Sequence, residues 1–112
     1  MNQLKGIHHV TAITSSAEKN YEFFTYVLGM RLVKKTVNQD DIRTYHLFFA
    51  DDKGSAGTDM TFFDFPNISK GVHGTNEIFK TSFRVPTDAA LDYWVKRFNR
   101  LQVKHTGIEE QF

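Results

Sequence analysis

The sequence predicts an α+β fold in which a βαβββ unit is followed by an incomplete second copy of that unit. Residues 7–14 alternate in polarity as a strand does, and a helix signal follows them directly. Three further strand-like segments come next, and a similar order of elements begins again about seventy residues along the chain. The expected architecture is a curved mixed sheet with the helices on its convex face.

The first unit is predicted to extend over residues 1–66. Its helix begins at Ser15, which forms a capping-box pattern with Glu18, and ends before Gly29, a residue suited to the left-handed conformation after a helix. Acidic and glycine-rich turn signals divide the rest of the unit. The strands expected there cover residues 31–39, 44–50 and 59–65.

The second unit is predicted at residues 78–112, after a polar linker at residues 67–77. It holds a strand signal at residues 78–85, a helix start at residues 86–88 with an apolar helical stripe after it, and the start of one further strand. Because the strands that would complete this unit are missing, we expect the chain to be a fragment. Its uncovered sheet would then pack against further modules of the same polypeptide or against a second copy of the chain.

Composition excludes several classes of function. The 112 residues carry 14 Lys and Arg against 13 Asp and Glu, and a formal charge of +1 does not favour a nucleic-acid partner. No apolar run approaches the roughly 20 residues that cross a bilayer, so no membrane partner is expected. The lack of cysteine excludes disulfides and thiolate chemistry and is typical of a reducing compartment, so a cytoplasmic location is expected.

The pair His8-His9 is the first candidate for chemistry. Adjacent strand residues point to opposite faces, so only one of the two imidazoles is expected to reach a given site. His9 shares its face with Thr11 and Ile13, and on the concave side of the sheet its ring would be free to bind a metal. From strand position alone, a partly buried histidine hydrogen-bonded to a neighbouring group is the more ordinary interpretation.

The other histidines and the strand carboxylates are interpreted as structural or solvated. His46 lies among aromatic residues and is expected at the edge of a core, whereas His73 and His105 fall in loop-like sequence. Asp59 and Asp64 have an odd spacing in a strand, so at most one of them points towards a site. Solvation or a turn contact is expected for both carboxylates.

Two sets of segments resemble a known family. In their strand–helix order, the first set resembles the vicinal oxygen chelate superfamily, whose glyoxalase, bleomycin-resistance and extradiol dioxygenase members pair βαβββ modules around a metal. That set comprises residues 7–11, 23–24 and 27–30. The second set resembles the amino-terminal part of hydroquinone-type ring-cleaving dioxygenases. It comprises residues 45–51, 57–63 and 65–66.

The resemblance implies a metal-dependent dioxygenase. In such enzymes Fe(II) is bound by a histidine of the first module and by a histidine and a glutamate of the last module. His9 is therefore the implied iron ligand, with His8 and Thr11 as neighbours of the site, and Mn(II) or Zn(II) are the alternative metals. The implied substrates are a hydroquinone- or catechol-like aromatic and O2. Because the remaining ligands lie outside this chain, the chain alone is expected neither to bind iron tightly nor to turn over.

Two other functions stay open from the sequence. A glyoxalase-type lyase or thiol transferase would share a metal site between two copies of the chain. Its expected carboxylate position is occupied by Thr61, however, and the repeat counterpart of His9 is Phe79. A metal-free drug-binding module would use only an aromatic cavity, and its ligand affinity would not depend on His9.

Overall fold

The computed structural model describes residues 3–110, which divide into two compact units between Lys70 and Gly71. The first unit contains a four-stranded mixed sheet with the order β1-β4-β3-β2. Its strands are β1 (His9–Thr14), β2 (Arg31–Val37), β3 (Tyr45–Ala50) and β4 (Asp59–Asp64). β1 pairs parallel with β4, and the other two pairings are antiparallel. The predicted βαβββ order and mixed sheet are confirmed for this unit.

A helical segment joins β1 to β2. It consists of α1 (Ala17–Glu22) and a π-helical turn at Phe23–Val27. The residue that caps α1 is Ser16, whose hydroxyl accepts a hydrogen bond from the Lys19 amide at 3.2 Å, so the prediction of Ser15 as the cap was wrong. Ser15 lies between β1 and this cap, and the Ser16 amide donates to Oγ1 of Thr14 at 3.2 Å, which fixes Ser16 in the capping position.

The helical segment ends in a left-handed glycine, as predicted. Gly29 has a φ of 68°, and the amide of Met30 donates to the carbonyl of Phe24 at 2.9 Å. This hydrogen bond joins residues six positions apart and gives a partner to one of the last helical carbonyls, which would otherwise lack one. The left-handed Gly29 also changes the direction of the chain just before β2 begins.

The core of the first unit is aromatic and lies between the sheet and the helical segment. Phe24 stacks on Phe49 at a centroid distance of 5.1 Å and packs against Phe62 at 5.0 Å. Leu47 and Met60 complete the buried cluster. Removing one such buried ring costs about 3–5 kcal/mol, so this face of the sheet is strongly held against the π-helical turn that carries Phe24.

In the part of the second unit that the structure describes, the helix is α2 (Asp88–Arg100). Its start is confirmed, because the Thr87 hydroxyl accepts from the Ala90 amide at 3.2 Å. The strand expectation for residues 78–85 was wrong, as was that for a strand after α2. A strand needs a neighbouring segment that completes its hydrogen bonds, and the described residues of this unit form no strand. None of the helices in residues 3–110 has the length and apolarity needed to cross a bilayer.

The predicted module boundaries, residues 1–66, 67–77 and 78–112, stay a prediction. Residues 1–2 and 111–112, at the ends of the two predicted modules, lie outside the described residues.

We expect Gly29→Ala to lower the free energy of unfolding by roughly 1–2 kcal/mol, because a Cβ disfavours the left-handed backbone. No atom lies within 4 Å of the position that this Cβ would take, so the effect is one of backbone conformation alone. Urea unfolding measures it. Gly71→Ala is the matched control, since Gly71 has open space and no positive φ, and equal midpoints for the two variants would contradict the assignment.

Candidate active site

The predicted site residues lie on the side of the sheet that faces away from α1. Alternation along the strands places the aromatic core on one side and a mixed polar and aromatic surface on the other. We call this second surface the open face. It comprises His9, Thr11 and Ile13 of β1, Asp59, Thr61 and Phe63 of β4, His46 and Phe48 of β3, and Lys34 and Thr36 of β2.

His9 presents its ring on the open face at the start of β1. The ring centroid lies 5.6 Å from that of Phe48 and 6.4 Å from that of His46. Its Nδ1 lies 3.1 Å from Nδ1 of His8, and no described residue gives a hydrogen bond to its Nε2. The ring of His9 is therefore held at Nδ1 by His8, and its Nε2 has no hydrogen-bond partner among the described residues.

His8 and His9 meet, which the sequence analysis did not expect. The prediction that their imidazoles point to opposite faces was wrong, because their Nδ1 atoms lie 3.1 Å apart. β1 begins at His9, so strand alternation does not govern His8. The His8 carbonyl accepts from the Gly57 amide at 2.7 Å, which fixes its backbone. Since one Nδ1 must donate to the other, each ring keeps its Nε2 for a further partner.

Thr11 belongs to a chain of polar side chains that crosses three strands. Its Oγ1 lies 2.7 Å from Oγ1 of Thr61, which lies 2.9 Å from Nε2 of His46. Thr61 is fully buried, whereas Thr11 is exposed. The sequence analysis missed this chain, because it interpreted His46 as a residue at the edge of a core. These contacts follow from the register of β4 with β1 and β3, and this register is known only once the strands are paired in the fold.

The environment of His46 favours a neutral imidazole. Burial lowers the pKa of His46, and the nearby charges of His9 and Lys34 lower it further. The ring packs between Phe48 and Phe63, each at a centroid distance of 4.2 Å. A shift of register in β2 beyond Leu32 brings Lys34 opposite Phe48, where its Nζ lies 5.4 Å from the ring centroid.

The two strand carboxylates have different roles from those predicted. Asp64 Oδ1 accepts from the Ala17 amide at 3.2 Å and so holds the first turn of α1. Asp59 is the register partner of His9 on the open face and is only 8% exposed, so the expectation that it is solvated was wrong. Its Oδ1 is buried and has no hydrogen-bond partner among the described residues.

The remaining histidines lie in the second unit and away from any cluster of metal-ligating groups. His73 Nδ1 lies 3.0 Å from a Glu77 carboxylate oxygen, and His105 Nε2 lies 2.9 Å from Asn99 Oδ1. Within residues 3–110, no three or more His, Cys, Asp or Glu side chains are grouped so that they hold a metal ion. A metal at His9 therefore needs further ligands, although the orientation of His9 by its other ring nitrogen suits a metal-binding histidine.

Comparison with known protein families gives one match over most of the chain. Residues 6–110 match the model of the glyoxalase/bleomycin resistance protein/dioxygenase superfamily.

The similar curated proteins have names that refer to aromatic ring chemistry. The chain is 48% identical over 109 residues to a Bacillus subtilis strain 168 protein named "Putative ring-cleaving dioxygenase MhqA", covering 97% of this chain and 34% of that protein. It is 32% identical over 112 residues to the chlorohydroquinone/hydroquinone 1,2-dioxygenase of Sphingobium indicum, covering 98% and 35%. The chain thus spans about a third of the length of these relatives.

Solved structures agree in fold. A crystal structure of a "putative dioxygenase" from Bacillus subtilis superimposes with a TM-score of 0.86 at 45% identity, covering 94% of this chain and 34% of that one. A fosfomycin resistance protein, FosX of Listeria monocytogenes, superimposes with a TM-score of 0.66 at 16% identity, covering 98% and 78%. The second likeness is one of fold alone.

We expect the imidazole of His46 to titrate below the ordinary histidine value of 6.5. Protonation is therefore favoured more in the unfolded chain than in the native one, and the contribution of His46 to stability is lost as the pH falls through 6.5. An NMR titration of the ring carbon shifts measures the pKa directly. His46→Gln should reduce the fall in stability between pH 7.5 and 5.5, and a midpoint above 6.5 for His46 would contradict the assignment.

Proposed function

The chain belongs to the glyoxalase/bleomycin resistance protein/dioxygenase superfamily, and from this we propose that it supplies one metal-binding histidine, His9, to an Fe(II)-dependent ring-cleaving dioxygenase. The substrates in this proposal are O2 and a hydroquinone- or catechol-like aromatic. The observation that carries it is the ring of His9, which is held at Nδ1 by His8 and has no protein partner at Nε2 among the described residues. The names of the relatives support the type of reaction.

The proposed iron site is completed from outside this chain. Fe(II) in oxygenases is commonly held by two histidines and one carboxylate, which leaves positions open for substrate and O2. His9 provides one of these ligands in our proposal. The others come from the remaining modules of the same polypeptide or from a second copy of the chain, and the greater length of the relatives supports the first source. Mn(II) and Zn(II) are the alternative metals.

The residues around His9 have separate tasks in this proposal. When bound, Fe(II) supplies the electron transfer between the aromatic ring and O2. His8 holds the orientation of the His9 ring through the Nδ1 contact of 3.1 Å. Phe48, 5.6 Å from His9, offers an apolar ring surface for an aromatic substrate. Thr11 offers a hydroxyl on the same face. A cytoplasmic location, supported by the cysteine-free composition, belongs to the same proposal.

One observation favours a second candidate function, the glyoxalase-type enzyme with a site shared between two copies. Such a site needs a carboxylate on the fourth strand, and Asp59 of β4 lies beside His9 in register. Thr61 of the same strand has no carboxylate, and its hydroxyl lies within hydrogen-bond distance of Thr11 and His46, so it does not provide this ligand. Asp59→Asn separates the two candidates. It abolishes metal binding at a shared His9–Asp59 site, and it spares an iron site whose carboxylate belongs to another module.

We expect His9→Ala to reduce O2 consumption by at least about 100-fold. Loss of a residue that only orients a metal ligand typically costs 10–100-fold in metal affinity or activity, and loss of the ligand itself should cost more. The assay uses the polypeptide that joins this chain to its remaining modules, loaded anaerobically with Fe(II) and supplied with hydroquinone. The 112-residue chain alone is expected not to consume O2.

The matched control for this assay is His73→Ala, which removes an exposed histidine of the second unit that pairs with Glu77. It should leave the rate unchanged. Turnover by His9→Ala at the wild-type rate, with a normal circular dichroism spectrum, would remove His9 from the mechanism.

A further inference from the structure

The polar chain of the open face joins three strands. Thr11 and Thr61 are direct register partners in the parallel pair β1 and β4, and their hydroxyl oxygens lie 2.7 Å apart. His46 of β3 pairs with Phe63 in register and reaches diagonally to Thr61, with a distance of 2.9 Å from Nε2 to Oγ1. The polar chain therefore runs from the packed imidazole of His46, through the buried hydroxyl of Thr61, to the hydroxyl of Thr11, an exposed residue two positions after His9.

We propose that His46 and Thr61 are positioning residues for Thr11, and that their hydrogen bonds fix the hydroxyl of Thr11 towards a phenolic oxygen of the substrate beside His9. This inference deepens the proposed function and rests on it. It concerns two residues that make no contact with the metal or the substrate themselves. Their effect on the reaction passes through the hydroxyl of Thr11.

The number of hydrogens available to His46, Thr61 and Thr11 sets which group donates and which accepts along the polar chain. Each threonine hydroxyl has one hydrogen to donate, and a neutral imidazole has one nitrogen that donates and one that accepts. If His46 Nε2 accepts from Thr61, then Thr61 accepts from Thr11, and Thr11 offers only lone pairs to the substrate. If His46 Nε2 donates, Thr61 donates to Thr11, and the Thr11 hydrogen is available. The tautomer of His46 thus sets whether Thr11 accepts from a phenol or donates to a phenolate.

The burial of Thr61 supports a role for its hydroxyl. Thr61 is fully buried, and a valine has nearly the same shape and no polar atom that must be satisfied. A buried hydroxyl is costly unless it is hydrogen-bonded, and here both neighbours are polar groups on the open face. A strand that needed only packing at this position would be served equally well by the apolar residue.

The test compares Thr61→Val with Thr61→Ser. The first variant keeps the shape and removes the hydroxyl, and the second keeps the hydroxyl. In the metal-free chain, ring ¹⁵N shifts of His46 report its tautomer, and three-bond couplings report the side-chain rotamer of Thr11. We expect a single tautomer and a single Thr11 rotamer in the wild type and in Thr61→Ser. In Thr61→Val we expect tautomer and rotamer averaging. His46→Phe, which keeps the ring between Phe48 and Phe63, should also release Thr11.

Measuring kcat/KM tests whether the polar chain affects the reaction. In the iron-loaded polypeptide used for the His9 assay, Thr61→Val should lower kcat/KM for hydroquinone by about tenfold, as loss of a supporting hydrogen bond does, and Thr61→Ser should restore it. Unchanged NMR parameters in Thr61→Val would overturn the proposal, as would altered NMR parameters with unchanged kcat/KM. A wild-type protein without dioxygenase turnover would overturn the proposed function and this inference with it. The NMR result would still show whether Thr61 orders Thr11.

Discussion

The parallel pairing of β1 with β4 is the constraint on which the rest of the site depends. It is closed at both ends by backbone bonds outside the strands, from the Gly57 amide to the His8 carbonyl at 2.7 Å and from the Phe65 amide to the Thr14 carbonyl at 2.9 Å. Between these bonds the register is continuous. A slip of one residue would turn His9 away from its open-face neighbours, because side chains alternate with a period of two.

The aromatic core holds this register from the other side of the sheet. Phe62 must face the π-helical turn to pack against Phe24, at a centroid distance of 5.0 Å, and its two neighbours along the strand then face the opposite way. Thr61 is therefore placed on the open face by the same packing that buries Phe62. The hydrophobic core and the polar chain are two consequences of one alternation, so a change that loosens the core also disturbs the polar chain.

The sequence predicted what depends on local patterns and missed what depends on pairing. The strands of the first unit, the left-handed Gly29 and the face of His9 follow from periodicity and turn chemistry within a few residues. The contact between Thr11 and Thr61 joins residues 50 positions apart, and no local pattern specifies which strands become neighbours. Residues 78–85 show the converse, because their strand-like pattern forms no strand in the described structure.

The position of β1 in the sheet bears on how a metal site at His9 is completed. Among residues 3–110, β1 is an edge strand of the sheet and pairs with β4. On the β4 side, the ring centroid of Phe48 lies 5.6 Å from that of His9, and the buried Asp59 is the register partner of His9. In our proposal, ligands from another module or another copy reach the ring of His9 above the open face, because the side chains of a strand stand roughly perpendicular to the sheet. Within the described sheet, a histidine on an edge strand has cross-strand neighbours on one side, whereas a histidine on a central strand has them on both sides. His9 is therefore surrounded by fewer side chains of its own sheet, which suits the proposed site built by two modules.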